Sequence, residues 1–232
     1  MTRPQAVILD LDDTLFDDSA CTHAGLRAVA HAHGLSVDPA ELFARHAAHI
    51  RAIDPLLFSG QLSAHGARVR RFTGLLTELG AADPDGEAAT LTYPAAYREH
   101  WRLLPGAPDV LRDLRAAGLR LAVLTNYVRE VQGQKLAHFG LGALVDAVLC
   151  VEDVPAAKPD ARAYHAACAV LNVTPAQAVM VGDSWEKDVQ GARAAGLRAV
   201  WVSRAGLPAP EPGVPVVSRL ADLPAALGLV PA

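Results

Sequence analysis

The sequence predicts an α/β fold: an open parallel sheet interrupted after its first strand by an all-helical insertion. Three observations carry this reading. An apolar run at residues 5–9 ends abruptly in aspartates, within ILDLDDTLFDD at 8–18; helical patterning alone follows to about residue 104; and from residue 105 onward helices alternate with short apolar strands. Continuous apolar strands, as opposed to alternating ones, suit a parallel sheet covered by helices on both faces.

In chain order, the strand at 5–9 is followed by helix formers from 19 to 33, closed at Gly34. Asp38, Pro39 and Glu41 supply an N-cap, a first-turn proline and a capping-box acid for the next helix, and Ser63 and Gly80 bracket another. Asp83-Pro84 opens a fourth, which Pro94 is expected to kink or split before residues 97–101. After Leu104-Pro105-Gly106 the pattern predicts helices at 109–117, 128–139, 161–171 and 186–195, with strands at 119–124, 147–149, 178–181 and 199–202. A Pro-rich loop at 207–215 precedes a last short strand and helix. The expected division is therefore a core of residues 1–16 and 105–232 and a helical cap of 17–104.

With 232 residues, 51% hydrophobic and 20% charged, the chain can bury a sizeable core. A net charge of −4 gives no basic field for a nucleic-acid polymer, and no apolar run approaches the roughly 18 residues of a membrane span. A cytoplasmic protein is expected. Cys21, Cys150 and Cys168 form no CxxC and the nine histidines form no HxxxH or HExxH, so neither a disulfide framework nor a zinc site is suggested.

The chemistry gathers at strand ends, where ligands bind in open α/β sheets. Asp10 and Asp12 leave a buried strand two residues apart, and crowded carboxylates there must protonate or meet a cation. Asp183, after the strand in VMVGDSWEKDVQGA, would alone be read as a helix cap; together with Asp10 and Asp12 it points to a hard dication such as Mg²⁺, with Asp188 in the following turns. Thr125 and Asn126 end AVLTNY, and Lys158 sits in AAKPDA before Pro159, which is read as opening a helix. Each is ordinary turn or surface chemistry alone, but both are suited to phosphate.

DLDDT at 10–14, Thr125, Lys158-Pro159 and GDSWEKD at 182–188 resemble the four ordered motifs of the haloacid dehalogenase superfamily, in its helical-cap phosphatase branch, similar to nucleotidases and phosphoglycolate phosphatases. The resemblance implies a Rossmann-like core and Mg²⁺-dependent hydrolysis of a small phosphate monoester. In it Asp10 is the nucleophile that forms an aspartyl-phosphate, and Asp12 protonates the leaving oxygen and then activates water. Mg²⁺ is held by the Asp10 carboxylate, the Asp12 carbonyl and Asp183, with Asp188 orienting the ligands. Thr125 and Asn126 bind phosphate oxygens, and Lys158 offsets the negative charge. Dehalogenases of the family lack an acid at the position of Asp12, which favours phosphate esters. Many capped relatives have glycine where this chain has Tyr127, whose ring is read as packing.

The cap is expected to close over the core, with hinges near Phe16-Asp17 and 104–106. Arg45, His46, His49, Phe58 and the arginines at 68, 70 and 71 are candidate substrate contacts, although ARVRRF reads more readily as a solvated helix face. Tyr97, His100 and Trp101, near the second hinge, are read as packing. The expected partner is a small-molecule phosphate ester, a nucleoside monophosphate or a sugar or organic-acid phosphate, acted on by a monomer or homodimer. A sugar-phosphate phosphomutase, a dehalogenase and a catalytically silent binding protein are the alternatives.

Overall fold

Every residue of β1, Ala6–Leu9, is buried, and this first strand lies in the interior of a six-stranded sheet. The computed structural model describes residues 3–229; the Phe58 side chain, one of the candidate substrate contacts, lies outside the described residues. These residues form two compact units, one taking those up to Phe16 and from Leu103 onward, the other Asp17–Arg102.

In the first unit, β1 is joined by β2 (Arg120–Leu124), β3 (Ala147–Leu149), β4 (Ala178–Gly182), β5 (Arg198–Val202) and β6 (Val216–Val217) in the order β3-β2-β1-β4-β5-β6, all parallel. Leu9 pairs with Val123 on one side and Val181 on the other. The strands on either side of β1 therefore end together, and successive strands lead away from it in both directions, which makes its carboxyl end a topological switch point. On one face Ile8, Leu124 and Met180 pack with Tyr164 and Ala167 of α7 (Ala161–Val170). Burial worth about 1.5–3 kcal/mol for each large aliphatic side chain fixes where β1 ends, so the acids that follow have little freedom to move outward.

The second unit contains α1 (Asp18–Ala32), α2 (Pro39–Phe58), α3 (Ala64–Glu78) and α4 (Gly86–Glu99) around Leu26, Val29, Phe72, Leu75 and Ala89. The Asp38 side chain accepts from the Ala40 and Glu41 amides and that of Ser63 from Gly66, while Gly34 and Gly80 take the positive φ that ends α1 and α3.

Several local expectations are corrected. Pro94 does not break α4, because Tyr93 and Tyr97 stack on either side of it and donate to Thr22 and Asp18 of α1, so packing overrides the missing N–H. Asp85, not Asp83, caps α4. Asp17 makes no cap bond to α1; its carboxylate pairs with Arg102 at 2.7 Å, tying together the two ends of the helical unit. Asp160 caps α7 where Pro159 was expected to open it, and the helix expected at 186–195 is a π-helical turn, Trp185–Gln190, running into a short α8, Gly191–Ala194.

His46 is buried between Phe72 and Tyr93, its ring centroid 5.7 and 5.8 Å from theirs, and neither ring nitrogen has a hydrogen-bond partner. Burial, assisted by the Arg71 and His49 charges, holds its pKa well below the ordinary 6.5. The unfolded chain therefore takes up a proton as pH falls through about 6.5 while the folded unit does not, and stability drops by up to about 1.4 kcal/mol per pH unit until the folded pKa is reached. His46→Phe is expected to flatten that acid limb without loss of stability at pH 7.5; thermal melts from pH 7.5 to 5 measure it, and an unchanged slope contradicts the assignment.

Candidate active site

The site begins where β1 runs out. The Asp10 amide continues the sheet ladder to Val181 O at 2.9 Å, and its carboxylate emerges at the end of a fully buried apolar strand. Lys158 arrives on the connection before α7, and its ammonium, 2% exposed, donates to Asp10 Oδ1 and Asp188 Oδ1, each at 2.7 Å. Asn126, just after β2, holds the Lys158 main chain at both ends: its Oδ1 accepts from Lys158 N at 2.8 Å and its Nδ2 donates to Lys158 O at 2.6 Å. Its side-chain amide is thereby committed, which leaves its backbone N–H as the group to offer a phosphate.

Asp183 and Asp188 come from the turn after β4. Gly182 is required there by close approach, since a Cβ at this position would fall inside the Asp188 carboxylate. The π-helical turn folds Asp188 back so that its Oδ2 accepts from Ser184 N at 3.0 Å while its Oδ1 meets Lys158. Trp201 donates to Asp183 O at 2.7 Å, fixing the main chain below the carboxylate.

Carboxylate oxygens of Asp10, Asp183 and Asp188 all lie within 4.8 Å of one another. Burial raises the Asp10 pKa to about 6 against the opposing pull of Lys158. Burial, with the Asp10, Asp188 and Asp13 charges, raises Asp183 to about 8. Burial also disfavours the Lys158 ammonium, but the Asp10 and Asp188 charges outweigh it and hold its pKa above the ordinary lysine value. Three carboxylates thus face one ammonium, and the Asp183 carboxylate accepts no hydrogen bond among the described residues. Clustered hard oxygen donors short of positive charge fit a divalent cation such as Mg²⁺.

Asp12 is held separately. Lys135 Nζ donates to its Oδ1 at 2.6 Å and Gln132 Nε2 to its Oδ2 at 2.8 Å, both from α6 (Arg129–His138). Gln132 Nε2 also reaches Thr125 Oγ1 at 2.9 Å. The Asp12 side chain is therefore not part of the group that converges on Lys158. Asp13, in the left-handed region at φ 56°, pairs with Arg204. Gln132 and Lys135 escaped the sequence reading; their signal is a helical stripe, Gln132, Lys135 and Leu136, that is buried although two of its members are polar. In the helical unit, Arg45 bonds Glu41 and Glu78 and His49 bonds Glu78, so both already have acidic partners within it.

A parallel α/β core whose strand ends gather acids around one lysine defines a class of hydrolases with a Rossmann-like sheet. More particularly, the model of the haloacid dehalogenase-like hydrolases matches residues 4–196, and the chain belongs to that family. It is similar to the phosphoserine phosphatase of Thermus thermophilus, at 35% identity over 94% of this chain and 95% of that protein. It is also similar to the ribulose-1,5-bisphosphate 5-phosphatase of Halopiger xanaduensis, at 34% identity over 84% and 83%. The fold matches that of the magnesium-bound HAD hydrolase YfnB of Bacillus subtilis, with a TM-score of 0.76 at 23% identity over 97% of this chain and 99% of that one.

Because the Asp183 pKa lies above its unfolded value near 3.8, this carboxyl's own contribution to the stability of the metal-free protein falls as pH rises from about 4 through about 8, opposite in sign to that of His46. Asp183→Asn is expected to raise the metal-free melting temperature at pH 8 and to abolish its increase with Mg²⁺; melts with and without the ion at pH 6 and 8 provide the check. Gly182→Ala is expected to displace Asp188 at a cost of about 1–3 kcal/mol, read by urea denaturation.

Proposed function

We propose that this enzyme hydrolyses small phosphate monoesters through an aspartyl-phosphate on Asp10. It is a phosphatase: its family and its similarity to named phosphatases at 28–35% identity support that class. The observation that carries the mechanism is the Asp10 carboxylate, anchored by Lys158 at 2.7 Å beside Asp183 and Asp188.

Asp10 attacks phosphorus in line with the departing ester oxygen. A nucleophile already fixed in position avoids much of the entropy cost of capture from solution, an advantage of up to about 7–11 kcal/mol in well-oriented systems. Asp12 gives its proton to the leaving oxygen, then takes one from the water that cleaves the acyl phosphate, so Asp10 and Asp12 both return to their starting forms. The Thr125 hydroxyl accepts from Gln132, which leaves its own proton to donate to a phosphoryl oxygen. The backbone N–H of Asn126 adds a second donor at the same strand end. Lys158 keeps its charge throughout and offsets the added charge of the phosphate. The Asp10 and Asp183 carboxylates and the Asp12 carbonyl would hold Mg²⁺, with Asp188 orienting them; when bound it neutralises charge on the phosphoryl oxygens.

The substrate we favour is a phosphorylated small metabolite, a nucleoside monophosphate or a sugar or organic-acid phosphate. Relatives acting, by name, on phosphoserine, ribulose bisphosphate, glyceraldehyde 3-phosphate and N-acylneuraminate 9-phosphate support that size range. We place the reaction in the cytoplasm, in a monomer or homodimer; among the described residues no helix is long and apolar enough to cross a membrane.

Purified protein with Mg²⁺ is expected to release inorganic phosphate from an aryl phosphate and from members of a metabolite phosphate panel. Asp10→Asn should lower turnover by at least on the order of 10³-fold. Full activity in that variant, or an isomerised sugar phosphate in place of inorganic phosphate, would overturn the reading.

A further inference from the structure

We infer that Lys135 and Gln132 are positioning residues for Asp12, setting where its carboxylate stands to serve the leaving group; this rests on the acid–base role assigned to Asp12 above. Lysine is rarely buried without a partner, yet Lys135 is 3% exposed, and Asp12, 123 residues away, takes its ammonium at 2.6 Å. The ammonium also lies 4.5 Å from the centroid of the Phe16 ring, which fixes its height in the site.

Gln132, fully buried one helical turn before Lys135, takes the other Asp12 oxygen. Its amide nitrogen faces Asp12 and donates to Oδ2, which suits the carboxylate that Asp12 becomes between giving up its proton and taking one from water. The same nitrogen meets Thr125 Oγ1, so one amide spans the phosphate-holding hydroxyl and the carboxylate. Its Oε1 is buried with no hydrogen-bond partner, an arrangement that costs about 1–3 kcal/mol and is sustained by the two bonds on the nitrogen.

Two donors on two oxygens leave Asp12 little rotational freedom about its side chain, while 29% exposure keeps it open to an incoming ester. The bonds from α6 go to Asp12, the acid–base group, and those from Lys158 to Asp10, the nucleophile, and to Asp188.

Removing the positioning should therefore harm esters whose leaving oxygen needs a proton more than those whose leaving group departs unaided. In Lys135→Met, kcat/KM for an alkyl phosphate is expected to fall by about 10–100-fold, a part of the roughly 10²–10⁴ that general acids contribute. For p-nitrophenyl phosphate the fall should be several times smaller. Gln132→Leu should give the same split, and it serves as the test if Lys135→Met does not fold. A second readout needs no turnover: in thermal melts of the metal-free protein, Lys135→Met and Asp12→Asn should be non-additive. Equal losses for both esters, no loss for either, or additive melting shifts would overturn the inference. Asp10→Asn is run alongside; activity retained there is a failure of the aspartyl-phosphate mechanism, not of the positioning by α6.

Discussion

Lys158 donates to Asp10 and Asp188 at the same distance, and this shared ammonium is what allows the carboxylate at the end of a fully buried strand and the one from the π-helical turn to be buried side by side. In an interior of low dielectric, each acid without a counter-charge would protonate or force the chain apart. The rest of the site follows from that constraint. Asn126 fixes the main chain that carries the lysine, Gly182 makes room for Asp188, and the π-helical turn brings that carboxylate within reach. The Asp183 carboxylate accepts no such bond among the described residues, and burial first, then the neighbouring acids, raise its pKa; a dication would offset both.

The sheet makes the geometry repeatable. Because β1 pairs in register with β2 and β4, the segments bearing Asp10, Thr125 and Asp183 leave the sheet at one level. A parallel arrangement also sends the connections between successive strands from β1 to β5 into helices, which keeps these strand ends clear for ligand. Within the core unit, Phe16 bridges to Leu103 and Leu104 N bonds Leu15 O at 2.9 Å, so the chain departs and returns at neighbouring points. The helical unit is inserted without altering the strand order.

Much of this was legible in the sequence because the signals were local. Apolar runs cut short by Asp10 and Asp183, N-caps such as Asp38 and Ser63, and glycines such as Gly34 each act over a few residues. What escaped depends on contacts across the chain. Pro94 looked like a break because the tyrosines flanking it gain their partners from α1, some 71 and 79 residues away. Lys135 gave no local signal, because its partner Asp12 comes from the first strand end. Asn126 was read only as a phosphate-binding residue, and no local pattern reveals that both ends of its side-chain amide hold Lys158. The π-helical turn was read as plain helix, since the pull of Lys158 on Asp188 is likewise invisible in the run GDSWEKD.

Asn126 mimics a neighbouring strand: it reads one N–H and one C=O of residue 158 and is indifferent to the side chain between them. The path of that connection is thus encoded separately from the charge it delivers. A neutral residue in place of the lysine would keep both main-chain bonds to Asn126 while leaving Asp10 and Asp188 to hold protons instead of charge, so the loop would persist where the chemistry does not.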